Sequence, residues 1–135
     1  MSGETDLEKL LQGMQPKLNE GEYVFCTVDS FKSAATLNPV CVFQEKEAVT
    51  VILPKQKADD AGLPYSFFIC AWITLTVHSS LEAVGLTAAV SKALTEANIS
   101  CNMVAAYYHD HIFVPLKDAT RALDVLMKLT KQETP

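Results

Sequence analysis

The chain has 135 residues, of which 49% are hydrophobic, and carries a formal net charge of −5. This length fits one ordinary domain or two very small ones, with enough apolar material to form a core. The chain has one arginine, Arg121, and therefore lacks the clustered basic face that nucleic-acid binding needs, so we expect no nucleic-acid partner.

The apolar segments are too short to cross a membrane. The longest apolar run, residues 67–77, is interrupted by threonines and falls short of the roughly 20 residues that a spanning helix needs. The acidic start of the chain has no basic region followed by an apolar stretch, so it predicts no secretory signal. The four cysteines lie singly in strand-like segments, which favours reduced core thiols. We expect a cytoplasmic protein with no membrane partner.

In the N-terminal half, apolar side chains at positions i, i+3, i+4 and i+7 predict a short helix over residues 6–14. A strand is predicted over residues 23–28, followed by a polar loop over residues 29–39. Residues 40–53 read as a hairpin, and Pro54 suits the start of a short helix that ends at Ala61. This half therefore has the predicted order α-β-β-β-α.

In the C-terminal half, residues 69–77 alternate between aliphatic and other side chains and predict a two-faced strand. The period changes at Leu86 to that of a helix, which Asn98 can end in the left-handed conformation. Residues 99–107 and 111–115 predict two further strands, with a last helix behind them from Ala119, so the order is β-α-β-β-α. The best boundary, at Gly62 to Pro64, predicts units at residues 1–63 and 64–135.

The junction from strand to helix, residues 77–90, is the strongest candidate for a binding site. The first turn of a helix leaves backbone N–H groups without intrahelical partners, and its dipole favours a carboxylate or phosphate. Gly85 permits close approach of a ligand to the backbone, and Ser79 and Ser80 offer hydroxyl groups. From spacing alone, an ordinary strand-to-helix turn explains this pattern more often than a ligand site does.

Together with Tyr-His-Asp-His-Ile-Phe-Val-Pro at residues 108–115, this junction resembles the ACT domain family, a regulatory module that binds amino acids. Residues 22–26 and 37–40 support the resemblance, which covers the whole chain and is closest to small bacterial ACT proteins of uncharacterised role. It implies an α+β, ferredoxin-like fold: antiparallel sheets with helices on one face, in two tandem ACT-like units.

Measured against the βαββαβ order of an ACT domain, both halves are incomplete. The C-terminal half is one strand short, so that strand must come from elsewhere. The N-terminal half lacks the helix between its first two strands, and residues 6–14 are available to cover the vacant face.

The resemblance also implies where a ligand binds. In this family, effector amino acids commonly lie at the corresponding loop and helix start, and a strand of a neighbouring ACT unit forms the second wall. The implied ligand-binding residues are Ser79, Ser80, Val84, Gly85, Leu86, Ser100 and Asn102. Asp29 and Ser30, at the first strand end of the N-terminal half, form a second and weaker candidate site.

The three histidines, His78, His109 and His111, have the residue type of a metal site. His109 and His111 flank Asp110 at a predicted hairpin turn, where aspartate is favoured by turn chemistry alone, and no further ligand stands at recognisable spacing. We expect no metal and no cofactor, and instead hydrogen bonds at a domain interface that protonation near neutral pH would tune. Residues adjacent in an extended strand point to opposite faces, so His78 and Ser79 do not predict a hydrolase.

These observations favour a non-catalytic regulatory or sensor protein that binds a small metabolite, most plausibly an amino acid, at an interface between ACT units. We expect a homodimer or larger homo-oligomer, since ACT units commonly pair through their sheets and Trp72 faces away from the aliphatic side of its strand. We also expect an unidentified regulated protein on which such a regulatory module would act. One alternative is an oligomerisation or protein-interaction module that binds no ligand. A metal-dependent enzyme that uses His78, His109 and His111 is a weaker alternative.

Overall fold

A computed structural model describes residues 3–76 and 85–130, with side chains from residue 7 onward. The chain divides into two compact units, a smaller one of residues 20–71 and a larger one of residues 1–19 and 72–135. The helices are α1 (Gly3–Gly13), α2 (Phe31–Thr36), α3 (Lys55–Asp60), α4 (Leu86–Glu96) and α5 (Ala119–Thr130). The strands are β1 (Gln15–Leu18), β2 (Tyr23–Val28), β3 (Cys41–Gln44), β4 (Val49–Pro54), β5 (Cys70–Thr76), β6 (Asn102–Ala105) and β7 (Asp110–Pro115).

In the smaller unit, β2 pairs in antiparallel fashion with β4 from Tyr23 opposite Pro54 to Val28 opposite Val49, and β4 pairs with β3. On its other side, β2 meets Cys70 through Tyr23. One face of these strands packs with Ala34 of α2 and Ala58 of α3 in an apolar cluster. The buried members of that cluster are Val24, Cys26, Ala34, Val49, Val51, Leu53 and Ala58.

The predicted loop over residues 29–39 contains helix α2, so the expectation that this half lacks a helix between its first two strands is wrong. Ser30 begins the helix: its backbone is extended and its Oγ accepts a hydrogen bond from the Ser33 amide at 3.1 Å. Asn38, at φ 48°, follows the helix in the left-handed region. The helix is short and buries one small residue, Ala34, so its hydrophobic period is too brief to stand out in the sequence.

In the larger unit, β5 lies between β1 and β7, and β6 is at the edge, giving the order β1-β5-β7-β6. Chain order within this unit is β5-α4-β6-β7-α5, and the fourth strand is β1, which pairs antiparallel with β5 from Gln15 opposite Thr76 to Leu18 opposite Ile73. The strand expected to come from elsewhere therefore comes from the N-terminal segment. This completes an antiparallel unit of the ferredoxin-like type that the family resemblance implied.

Helix α1 belongs to this larger unit, where it contacts α4 and α5. The expectation that it covers a vacant face of the N-terminal half is therefore wrong, and α2 explains why, since that position is already filled. The unit's core consists of fully buried apolar side chains. They include Ile73, Leu75, Val90, Leu94, Ile112, Val114 and Leu126.

The division into units at residues 1–63 and 64–135 stays a prediction; the compact units of the structure are divided at other positions. Within the described residues, no helix is both long and apolar enough to cross a membrane.

Candidate functional site

Helix α4 begins at Leu86, as predicted, and Gly85 stands at its N-cap with φ 97° and ψ −18°. Residues other than glycine adopt this backbone conformation only at an energetic cost, so the local backbone favours glycine at this position. Within the described residues, no side chain caps this helix. Ser79, Ser80 and Val84, the other residues expected at this junction, lie outside the described residues.

The space next to Gly85 is lined by a side chain from α1. A Cβ atom added to Gly85 would lie 3.5 Å from Cδ2 and 3.6 Å from Cδ1 of Leu7, which is ordinary van der Waals contact. Leu86 is itself buried. Among the described residues, an apolar side chain therefore lines the helix start, a feature that the sequence did not predict because nothing in it pairs Leu7 with Gly85.

The residues expected on the opposing strand are accessible. Asn102 opens β6 and lies directly opposite Phe113 of β7, and Ser100 stands two residues earlier on the approach to the strand. Both side chains are exposed. Since β6 is the edge strand of its unit, an incoming ligand or chain can reach Asn102 from solvent.

At the weaker candidate site, the hydroxyl of Ser30 is already engaged. Its oxygen accepts a hydrogen bond from the backbone N–H of Ser33, and its O–H donates to the Ser33 hydroxyl oxygen, 3.1 Å away. Asp29 is exposed beside it. This arrangement is sufficient to explain Ser30 as a helix cap.

A hydrogen-bond network in the larger unit links three segments of the chain. The indole Nε1 of Trp72 donates to Nδ1 of His111 at 3.0 Å, and the Thr74 hydroxyl lies 3.2 Å from the same nitrogen. Asn19, just after β1, donates through Nδ2 to the Thr74 hydroxyl at 2.9 Å and to the Trp72 carbonyl at 3.2 Å. The Trp72 ring also stacks on Phe113, with centroids 6.3 Å apart.

The surroundings of His111 favour the neutral form of its ring. Burial lowers the pKa of His111 below its usual value, and the neighbouring His109 lowers it further, although Asp110 acts in the opposite direction. The pKa of Asp110 is raised, chiefly by burial. Nδ1 of His109 is buried and has no hydrogen-bond partner among the described residues.

The histidine pair does not form a metal site with other described side chains. Over residues 7–76 and 85–130, no group of three or more His, Cys, Asp or Glu side chains is placed to hold an ion. Nδ1 of His111 already accepts from Trp72, which removes one potential ligand atom. His78 lies outside the described residues, so its part in the predicted alternative is not described.

All four cysteines are free; Cys26 and Cys70 are buried, and Cys41 and Cys101 are half-buried. Burial raises the pKa of each thiol and brings that of Cys70 to about 12. A thiol with a raised pKa is a poor nucleophile at neutral pH. The cysteines therefore fit a packing role better than a chemical one.

Each unit has a surface depression of its own. In the larger unit, a groove of about 530 Å³ runs between α4 and α5 beside Leu11 of α1, with Lys92, Glu96 and Lys128 among its lining residues. In the smaller unit, a depression of about 570 Å³ lies beside β2 and is lined by Phe25, Cys26, Thr27, Glu45, Thr50, Pro64, Tyr65 and Ser66.

Sequence reasoning missed Asn19 and Thr74. The alternation of β5 places Thr74 on the same face as Trp72, and this shared face was the signal that could have indicated a contact of Thr74 with the same partner. The role of Asn19 depends on the pairing of β1 with β5, which no local pattern reveals.

Comparisons with known proteins agree with this architecture. One ACT domain family profile matches residues 2–70, and a second matches residues 68–128. No curated protein matches the chain. A solved structure from Vibrio cholerae, a protein of unknown function named a possible transport protein, is 48% identical over 96% of this chain and 99% of its own, with a TM-score of 0.87.

More distant structures share the fold. The ligand-free regulatory subunit of aspartate kinase from Thermus thermophilus is 11% identical over 85% of this chain and 97% of its own, with a TM-score of 0.61. The aspartate kinase of Clostridium acetobutylicum is 10% identical over 90% of this chain and 35% of its own, with a TM-score of 0.64. Because one profile covers just over half of the chain and the second covers most of the rest, this protein belongs to the ACT domain family and contains two ACT domains in tandem.

Proposed function

We propose that this protein is a non-catalytic regulator that binds an amino acid between ACT units and passes the binding signal to another protein. The observation that carries the proposal is the tandem of two ACT domains, since ACT domains typically bind amino acids in regulatory proteins. In this proposal the helix start at Val84, Gly85 and Leu86 binds the ligand carboxylate, with Ser79 and Ser80 beside it. Ser100 and Asn102, on a neighbouring unit of a homo-oligomer, bind the ammonium group.

The chemistry of these residues supports the assignment. An amino acid presents a carboxylate and an ammonium group, so its site needs donors and acceptors together. The N-terminus of α4 offers backbone donors and the favourable end of the helix dipole. The amide of Asn102 is exposed on an edge strand and can both donate and accept. A ligand that contacts both the start of α4 and the strand of a neighbouring unit would favour the assembly that holds the two together. It can shift the equilibrium only by the difference between its affinities for the assembled and unassembled states.

One observation favours the alternative, a protein-interaction or oligomerisation module without a ligand. The side chain of Leu7 would be in van der Waals contact with a Cβ atom added to Gly85. An apolar side chain there offers no partner to a carboxylate and fills space that a ligand would use. Under this alternative, α1 seals the helix start and the fold acts through its surfaces.

Titration calorimetry with each amino acid tests the proposal, with oligomer size followed by light scattering. We expect one amino acid to bind saturably to the wild-type protein, and Asn102→Ala to weaken binding at least tenfold while leaving the melting temperature of the free protein unchanged. Gln44→Ala, which changes an exposed side chain on edge strand β3, is the matched control and should bind normally. Equal affinity in Asn102→Ala and wild type would remove Asn102 from the site, and saturable binding to neither would favour the interaction module.

A further inference from the structure

One ring nitrogen of His111, on β7, contacts two side chains of β5, and Asn19 reaches it indirectly through Thr74. Its Nδ1 accepts from the Trp72 indole on β5 at 3.0 Å and lies 3.2 Å from the Thr74 hydroxyl. That hydroxyl in turn accepts from Asn19, next to β1, at 2.9 Å. The amide contact leaves the Thr74 proton available for His111, so the chain of donors runs from Asn19 through Thr74 to His111.

The donors fix the tautomer of His111. An indole N–H only donates, so Nδ1 of His111 must present a lone pair and carry no proton. In the neutral ring, the proton then resides on Nε2. A second proton can add only at Nδ1, the atom that holds both contacts.

Among the described residues, His109 and Asp110 are the titratable groups that act on the pKa of His111. His109 immediately precedes β7, and the centroid of its ring lies 6.2 Å from that of His111 in an edge-on arrangement. Asp110 is adjacent to His111 in the chain. On β6, the residue opposite His111 is Val104, and on β1 the residue opposite Thr74 is Lys17. On β5, the partners Trp72 and Thr74 are uncharged.

We propose that His111 is a proton-sensitive latch that holds the Trp72 indole against the sheet when neutral and releases it when Nδ1 takes up a proton. The proton comes from solvent, and no covalent bond other than the new N–H bond changes. The Thr74 hydroxyl can rotate and accept from the new N–H, whereas the indole, which has no acceptor, cannot. The hydrogen bond from Trp72 to His111 is therefore the one that is lost, and the surface around Trp72 differs between neutral and acidic conditions. This inference does not depend on the proposed binding of an amino acid.

Nitrogen-15 NMR tests the tautomer directly. At pH 7.5 we expect the His111 ring to show a protonated Nε2 and an unprotonated Nδ1. On lowering the pH, the single indole N–H signal of Trp72 should shift and lose its protection from hydrogen exchange, with a midpoint below the ordinary histidine value of about 6.5. A proton on Nδ1 at pH 7.5, or an indole signal that stays unchanged while His111 titrates, would overturn the latch.

Two variants separate the latch from general acid effects. His111→Gln can still present an acceptor to Trp72 but does not titrate, so the indole signal should become independent of pH over this range. His109→Gln should keep the transition and move its midpoint upward, because the like charge that disfavours protonation of His111 is removed. The same transition in His111→Gln as in wild type would overturn the proposal, and far-UV circular dichroism would show that the chain stays folded. The tautomer in the wild-type protein remains decisive if a variant fails to fold.

Discussion

Replacing Gly85 with alanine should destabilise the larger unit through the backbone and not through a clash. At φ 97° the residue lies where an L side chain costs about 1–3 kcal/mol. The added Cβ would meet Leu7 at 3.5 Å, which is ordinary contact and contributes little repulsion. We therefore expect Gly85→Ala to lower the free energy of unfolding by about 1–3 kcal/mol, and Gly85→Asn to lower it less, because asparagine adopts left-handed conformations more readily.

Urea unfolding followed by the fluorescence of Trp72, which lies in the same unit, measures this difference. Gly13→Ala is the matched control, since a Cβ there meets nothing within 4 Å and the residue has no positive φ. Its effect should be neutral or stabilising by up to about 1 kcal/mol. The double variant with Leu7→Ala should show additive effects within about 0.5 kcal/mol. If Leu7→Ala instead relieved the cost of Gly85→Ala, steric crowding and not backbone strain would be the cause.

Three further outcomes follow from described contacts. Ser30→Ala removes the cap of α2 and should lower the free energy of unfolding by about 0.5–2 kcal/mol in thermal denaturation followed by circular dichroism; an unchanged melting curve would contradict the cap. Cys70, whose pKa is raised to about 12, should resist alkylation at pH 8 in the folded protein, whereas half-buried Cys41 should react sooner; equal rates would refute the burial argument. The pKa of Asp59 is lowered chiefly by a hydrogen bond from the Tyr65 hydroxyl, 2.6 Å away. The contribution of Asp59 to stability is therefore present above its pKa in the unfolded chain and is lost as the pH falls through its pKa in the folded chain. Tyr65→Phe should raise the pKa of Asp59 measured by NMR, and an unchanged pKa would contradict that contact.

Most elements of the larger unit could be predicted from the sequence because their signals are local, but strand β1 was not predicted. The alternation of β5 and the helical period that begins at Leu86 are strong, and Asn98 adopts the left-handed conformation expected after α4. The motif at residues 108–115 identified the family correctly. Helix α2 was missed because it buries a single alanine, and a six-residue helix has too little period to register.

The site could be predicted only in part, since its physical determinants are not local. The special role of Gly85 at the start of α4 could be predicted from its residue type. The proximity of Leu7 to Gly85 could not, because it depends on how α1 packs. The same limit applies to Asn19, whose bond to Thr74 exists only because β1 pairs with β5 across more than 50 residues of sequence. Pairing between distant segments is set by the packed core, and a reading of neighbouring residues cannot supply it.

The central claim is that the tandem ACT domains bind an amino acid, and thermal unfolding of the wild-type protein against all twenty amino acids tests it most directly. A ligand that binds only the native state stabilises it by about 2.7 kcal/mol at a hundredfold excess over its dissociation constant. The account predicts a saturable rise in melting temperature with one amino acid or a small chemically related group. No shift with any amino acid at millimolar concentration would contradict it.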